Sequence, residues 1–290
     1  MEHSVQLGTQ GFRDSIYQCL RNLCKQEQLP LEIIEQQKGK RWLIQCRFCE
    51  SSLESDKDEA LVRKIHYYYL ANALAETILV HWEKEHVRQI VQKRDNLSEE
   101  NLQRIVNRTL EYLDRGQGQL HEYRINRKTS LVIQILTCLN QSAYFDLEGF
   151  LVFRAQEYKS DVHKAVEYAL EECIIEKEYM EFIRLLKHFV DNQKPQLECL
   201  HVLMTAQGKF DLLNEQGDKI TQQFLEDYQL DHLHELGYED LLVSSLIAVA
   251  PRQIILHIRY AGYKDALQTI RSVFGERVTD CRGCSLCNGF

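Results

Sequence analysis

Along the middle of the chain, apolar residues recur every three or four positions. Leu61, Ile65, Tyr68, Ala71, Ala75, Ile78, Trp82, His86 and Ile90 form one such series, which predicts a helix over residues 61–94. Ser98 stands where an N-cap satisfies free backbone donors, with Glu99 and Glu100 in the first turn behind it. Leu102, Ile105, Val106, Leu110 and Leu113 give the next helix its apolar face, and Arg115-Gly116-Gln117-Gly118 stops it. Helical spacing returns at residues 130–140 and runs, with one break, from 148 to 190. The only prolines are Pro30, Pro195 and Pro251, and no glycine lies between Gly39 and Gly116, so long helices are permitted in this region.

The two ends of the chain carry a different period. Residues 4–7 read as a short strand and 12–26 as a helix. Residues 31–36 and 41–48, rich in β-branched and large apolar side chains, flank the turn Lys38-Gly39-Lys40. Beyond Pro195, residues 197–204 and 209–214 flank Ala206-Gln207-Gly208, a hairpin signal, and 214–218 form a second turn. A helix is expected at 221–229. Helix 238–250, strand 253–258, helix 263–274 and strand 277–280 follow. A strand–helix–strand order favours a parallel pair joined by a crossover. The expected class is α+β, a helical centre with a small α/β unit before it and an α/β part with a short mixed sheet after it. The expected divisions are 1–58, 59–194, 195–280 and a cysteine-rich tail at 281–290.

Composition narrows the function classes. With 44% apolar and 27% charged residues, the 290-residue chain is neither disordered nor collagen-like. A net charge of −8 argues against a broadly basic nucleic-acid binder. Residues 171–240 hold 16 acidic against 6 basic side chains, which reads as a solvated acidic face. The N-terminus lacks a basic region followed by a hydrophobic one, and the longest apolar stretch, 241–250, is too short for a membrane span of about 20 residues. A cytoplasmic location is the expectation. The ten cysteines are then free thiols, catalytic groups or metal ligands rather than disulfides.

The most specific chemical signal is Cys281-Arg282-Gly283-Cys284-Ser285-Leu286-Cys287. Two-residue gaps let a turn bring successive sulfurs to one centre, and both zinc and iron–sulfur clusters take thiolates. Three ligands are one short. Cys46 and Cys49 form a second two-residue-gap pair, though a strand through Cys46 would send the two to opposite faces. The competing reading is a frayed tail of free thiols.

Other clusters are weaker. Arg124-Ile125-Asn126-Arg127-Lys128, with Arg115 upstream, is the densest basic stretch and reads as solvated loop charge rather than a nucleic-acid site. His81 and His86 are five apart, which turns the second away from the first by ~140° on a helix and excludes the helical zinc-protease pair. His232 and His234 share one side of a strand with nothing to complete a site. Phe150, Phe153 and Tyr158 read as core. Phosphate-binding glycine loops, a nucleophile elbow and the kinase set are all missing.

The chain resembles the YtxC-like family of sporulation proteins of endospore-forming bacteria. The resemblance runs through Leu147-Glu148-Gly149-Phe150-Leu151-Val152-Phe153-Arg154 and Tyr179-Met180-Glu181-Phe182-Ile183-Arg184-Leu185-Leu186-Lys187. It continues through Glu239-Asp240-Leu241-Leu242-Val243-Ser244-Ser245-Leu246, Ala250-Pro251-Arg252-Gln253-Ile254-Ile255-Leu256-His257, and the tail from Val273 to Cys284. It spans most of residues 61–287. It implies an intracellular bacterial protein linked to spore formation, and it supplies no catalytic residues; together with the missing catalytic motifs this makes a non-catalytic protein acting through a protein partner the leading expectation. The alternatives are a thiolate metal-binding regulatory protein using Cys281, Cys284 and Cys287, and, less favoured, a nucleic-acid-binding module using Arg115, Arg124, Arg127 and Lys128.

Overall fold

A computed structural model describes residues 3–48, 59–94, 97–115, 124–204, 210–221, 237–258 and 264–288. All but the first residue of the expected helix 221–229, the turn 206–208, the glycines at 116 and 118, Cys49, His232 and His234 lie outside the described residues. The class is α+β, as the periodicity predicts. The chain divides into two compact units, Met1–Ile174 and Ile175–Phe290.

The first unit opens with β1 (His3–Thr9), α1 (Arg13–Glu27), β2 (Leu31–Lys38) and β3 (Arg41–Phe48). The hairpin between β2 and β3 turns at Gly39, whose φ of +62° suits a residue without Cβ. A three-residue strand, β4 (Tyr144–Asp146), adds itself parallel to β1, giving the order β2-β3-β1-β4. So short a strand leaves no periodic signal. Val5, Leu7, Ile44, Cys46 and Phe48 point into the core that α1 covers with Ile16 and Leu20.

The long helix departs from the predicted stripe at both ends. It consists of α2 (Glu59–Thr77), a π-helical turn (Ile78–Trp82) and α3 (Glu83–Gln92). In the π turn the Glu83 amide reaches back five residues to the Ile78 carbonyl. One residue is thereby added to the turn, and the buried face moves on by one position. Leu74, Ala75 and Ile78 are buried before it, Glu83, Val87 and Val91 after it. Trp82 and Ile90 only flank the core, and Leu61, Ile65 and Tyr68 are exposed.

Next comes α4 (Glu99–Arg115), whose Asn101 amide donates to Ser98 Oγ at 3.3 Å, the predicted cap. α5 (Arg124–Gln141) follows. α6 (Leu147–Phe153) is capped by Asp146, whose carboxylate accepts from the Gly149 amide at 2.8 Å. The helical stretch breaks after Phe153, and α7 (Gln156–Asn192) runs on. Phe150 and Tyr158 are core, but Phe153 is 76% exposed, because α6 ends there and its last turn presents that face outward.

The second unit contains β5 (Cys199–Met204), β6 (Phe210–Leu213), α8 (Tyr238–Val249), β7 (Gln253–His257), α9 (Lys264–Phe274), β8 (Val278–Asp280) and α10 (Ser285–Asn288). Its sheet has the order β6-β5-β7-β8, with β5–β6 antiparallel and both β5–β7 and β7–β8 parallel. Leu200, Val202, Met204, Ile254 and Leu256 face the core with Leu246 of α8 and Ile270 of α9. Strand alternation therefore assigns Cys199, His201, Ile255 and His257 to the opposite face.

Candidate metal centre

β7 and β8 are parallel, so their C-terminal ends lie side by side. Leu256 is in register with Asp280, and the Cys281 amide donates to the Leu256 carbonyl at 2.9 Å. The chain leaves β8 beside His257, the last residue of β7. A knuckle follows. The Gly283 amide donates to Cys281 Sγ at 3.4 Å, and Gly283 adopts φ +116°, a conformation that a side chain strains. The Cys287 amide then donates to the Cys284 carbonyl at 3.1 Å, and Leu286 packs against Gly217 of the turn after β6.

Four donor atoms converge as a result. Cys281 Sγ and Cys284 Sγ lie 3.7 and 3.8 Å from Cys287 Sγ. His257 Nδ1 lies 3.2 Å from Cys287 Sγ and 3.7 Å from Cys284 Sγ. All four atoms fall within 4.8 Å of one another, the one such grouping among the described residues. Ligands about 2.3 Å (sulfur) and about 2.0 Å (nitrogen) from a tetrahedral zinc ion are spaced about 3.5–3.8 Å apart, so four of the six separations are already close to those around a single ion, and the other two, within 4.8 Å, need at most about 1 Å of closure.

The surroundings favour ligation. His257 is 1% exposed, and burial, then neighbouring His201, holds its imidazole below the ordinary histidine range. It is therefore neutral and able to ligate at pH 7. His201 is lowered in the same sense by burial. Burial opposes ionisation of Cys284, but the Cys287 amide and the neighbouring thiols outweigh it and lower its value. For Cys281 the Gly283 amide favours the thiolate, but burial and the two other sulfurs prevail and raise it. A cation among the three sulfurs removes that mutual repulsion, since metal binding takes the deprotonated thiols.

The structure brings Cys281, Cys284 and Cys287 together. Cys46 stands in the first unit, fully buried on β3, with its thiol pushed up to about 12 by burial. It faces that unit's core, where an inert thiol is the ordinary state. Sequence reasoning missed His257 as a metal ligand. The signal was its place at the end of a strand predicted to pair in parallel with the one leading into Cys281.

The basic stretch is not a loop. It forms the first turn and a half of α5, and its charges are used internally. Arg124 and Lys128 pair with Glu76. Arg127 is buried against Glu83, and its Nη2 donates to the Leu113 carbonyl at 2.8 Å.

Fold and site together define an α+β protein of two sheet-bearing units, the second carrying a Cys3His constellation. The chain belongs to the YtxC-like family, whose model matches residues 68–279. The match includes His201 and His257 and ends before Cys281. A curated relative named Uncharacterized protein YtxC, from Bacillus subtilis (strain 168), is 24% identical over 206 residues, covering 68% of this chain and 70% of its own length. No solved structure matches the chain. No helix among the described residues is long and apolar enough to cross a membrane.

Proposed function

We propose that this chain is a zinc-binding, non-catalytic protein whose second unit is closed by a Cys3His centre formed by His257, Cys281, Cys284 and Cys287. The observation that carries this reading is the convergence of four donor atoms within 4.8 Å. Four protein ligands complete a tetrahedron and leave no position for substrate, the mark of a structural rather than a catalytic zinc site. An iron–sulfur cluster spreads its ligands over more than one iron and the bridging sulfides, so donors this close favour a single ion. The bound ion would tie the C-terminal tail to the face of the sheet opposite the core.

The proposed setting is a cytoplasmic protein of spore formation that acts through a protein partner, a reading supported by the family resemblance and the missing catalytic motifs. The partner-binding part is tested by crosslinking a tagged chain in sporulating and in vegetative cells. The reading predicts a partner captured during sporulation, and no difference between the two contradicts it.

Cobalt substitution tests the centre. The reading predicts one Co(II) per chain with the visible bands of tetrahedral cobalt and a thiolate charge-transfer band, all displaced by zinc. Weak octahedral bands, or no uptake, contradict it.

A further inference from the structure

His257 makes one further polar contact outside the four-ligand set. His201 on β5 and His257 on β7 lie on the same face of the sheet, with His201 Nδ1 3.0 Å from His257 Nε2. The rings are 5.2 Å apart, centre to centre. On its other side, His201 Nε2 lies 3.9 Å from Cys199 Sγ.

A neutral imidazole has one donor nitrogen and one acceptor nitrogen, so a hydrogen bond at one nitrogen dictates the state of the other. Two arrangements satisfy the contact. If His201 donates from Nδ1, His257 accepts at Nε2 and carries its proton on Nδ1, pointing at the three sulfurs. Ligation is then blocked. If His257 donates from Nε2, its Nδ1 lone pair faces the sulfurs, and His201 carries its own proton on Nε2, toward Cys199 Sγ. Only the second arrangement is compatible with a metal at the centre.

We infer that His201 is the positioning residue of this centre, accepting a hydrogen bond from His257 Nε2 and so fixing the tautomer and ring orientation that present Nδ1 to the metal. Metal-bound histidines routinely donate their second N–H to such an outer partner, and loss of the partner typically weakens metal binding 10- to 100-fold. The parallel register carries the device, since Leu203 of β5 lies opposite His257 and His201 is its diagonal neighbour on the same face as the ring. This inference rests on the metal-binding reading, and the test separates the two.

The test measures zinc affinity of the full chain by competition with a chromophoric chelator. The variants are His201→Leu, which keeps bulk and removes the acceptor, and His201→Asn, whose Oδ1 offers an acceptor at the position of Nδ1. The expected result is a 10- to 100-fold loss in His201→Leu and recovery in His201→Asn to within about threefold of the parent. Nitrogen-15 spectra of the zinc form add a readout that packing alone does not move. His257 should be the Nε2–H tautomer in the parent and in His201→Asn, with faster exchange of that proton in His201→Leu. A parent that binds zinc while His201→Leu matches it within twofold overturns the positioning role and leaves the centre standing. So does a loss that His201→Asn fails to restore. A parent that binds no zinc overturns both.

Discussion

The backbone amide of Cys281 donates to the carbonyl of Leu256 at 2.9 Å, which delivers the first thiol of the tail to the residue preceding His257. This single ladder bond sets Cys281 beside His257, a ligand 24 positions earlier in the sequence. It also makes the Cys281 amide a reporter on the centre. Metal that binds the folded state at one hundred times its dissociation constant adds about 2.7 kcal/mol of stability. Hydrogen exchange of the Cys281 amide and of the β7 and β8 amides should therefore accelerate roughly a hundredfold when zinc is removed by a chelator. Unchanged exchange would separate the tail's structure from the metal.

Thiol reactivity distinguishes the two groups of cysteines. Cys46 is fully buried with its thiol held near 12, so iodoacetamide should leave it unmodified in the native protein with or without zinc. Cys281, Cys284 and Cys287 are only half-buried. They should be protected with zinc and alkylated after chelation, as read by peptide mass spectrometry. Alkylation of the three at equal rates in both conditions would contradict their ligand role.

In the first unit, Glu83 and Arg127 form an ion pair whose side chains are each 2% exposed, with the Tyr158 hydroxyl donating to the same carboxylate. The π turn is what points Glu83 inward. Removing one partner of a buried pair strands the other charge at a cost of about 3–5 kcal/mol. Arg127→Met should destabilise the unit by that amount, and adding Glu83→Gln should recover part of it. The two tryptophans, Trp42 and Trp82, both lie in this unit, so urea unfolding followed by their fluorescence reads it directly. A loss below 1 kcal/mol for Arg127→Met would mean the pair is solvated.

His86 stacks on Trp82, with His163 edge-on and Lys159 and Lys93 nearby. Burial first, then Coulombic repulsion with His163, Lys159 and Lys93, pushes its pKa down from 6.5 to about 4. The unfolded chain therefore takes up this proton at higher pH than the folded one. Stability falls as pH drops from about 6.5 to about 4, and above 6.5 the group has no effect. Between pH 7 and pH 5 the parent should lose more stability than His86→Phe, which keeps the stacking and removes the titration. Equal losses would assign the acid limb to other groups.

Much of this architecture was legible. The β1–α1–β2–β3 opening, the Ser98 cap and the β7–α9–β8 order all follow from apolar spacing and turn residues, because these are local preferences. The π turn was not legible. Inserting one residue into a helical turn changes no local preference, yet it exchanged Trp82, His86 and Ile90 for Glu83, Val87 and Val91 on the buried face. The cysteine spacing pointed to three ligands, since a two-residue gap is a local turn. The fourth depends on strand pairing, whereas spacing alone offers only the second two-residue-gap pair, Cys46 and Cys49. His257 becomes visible only when the C-terminal ends of two parallel strands are placed side by side.

The most direct measurement is the metal content of the full chain purified without added metal, by native mass spectrometry and elemental analysis. It should be run beside a variant carrying Cys281→Ser, Cys284→Ser and Cys287→Ser and beside His257→Ala. The account predicts about one zinc per parent chain, none in the triple variant and a clear deficit in His257→Ala. A parent without metal, or a triple variant that keeps the parent's zinc, would contradict it.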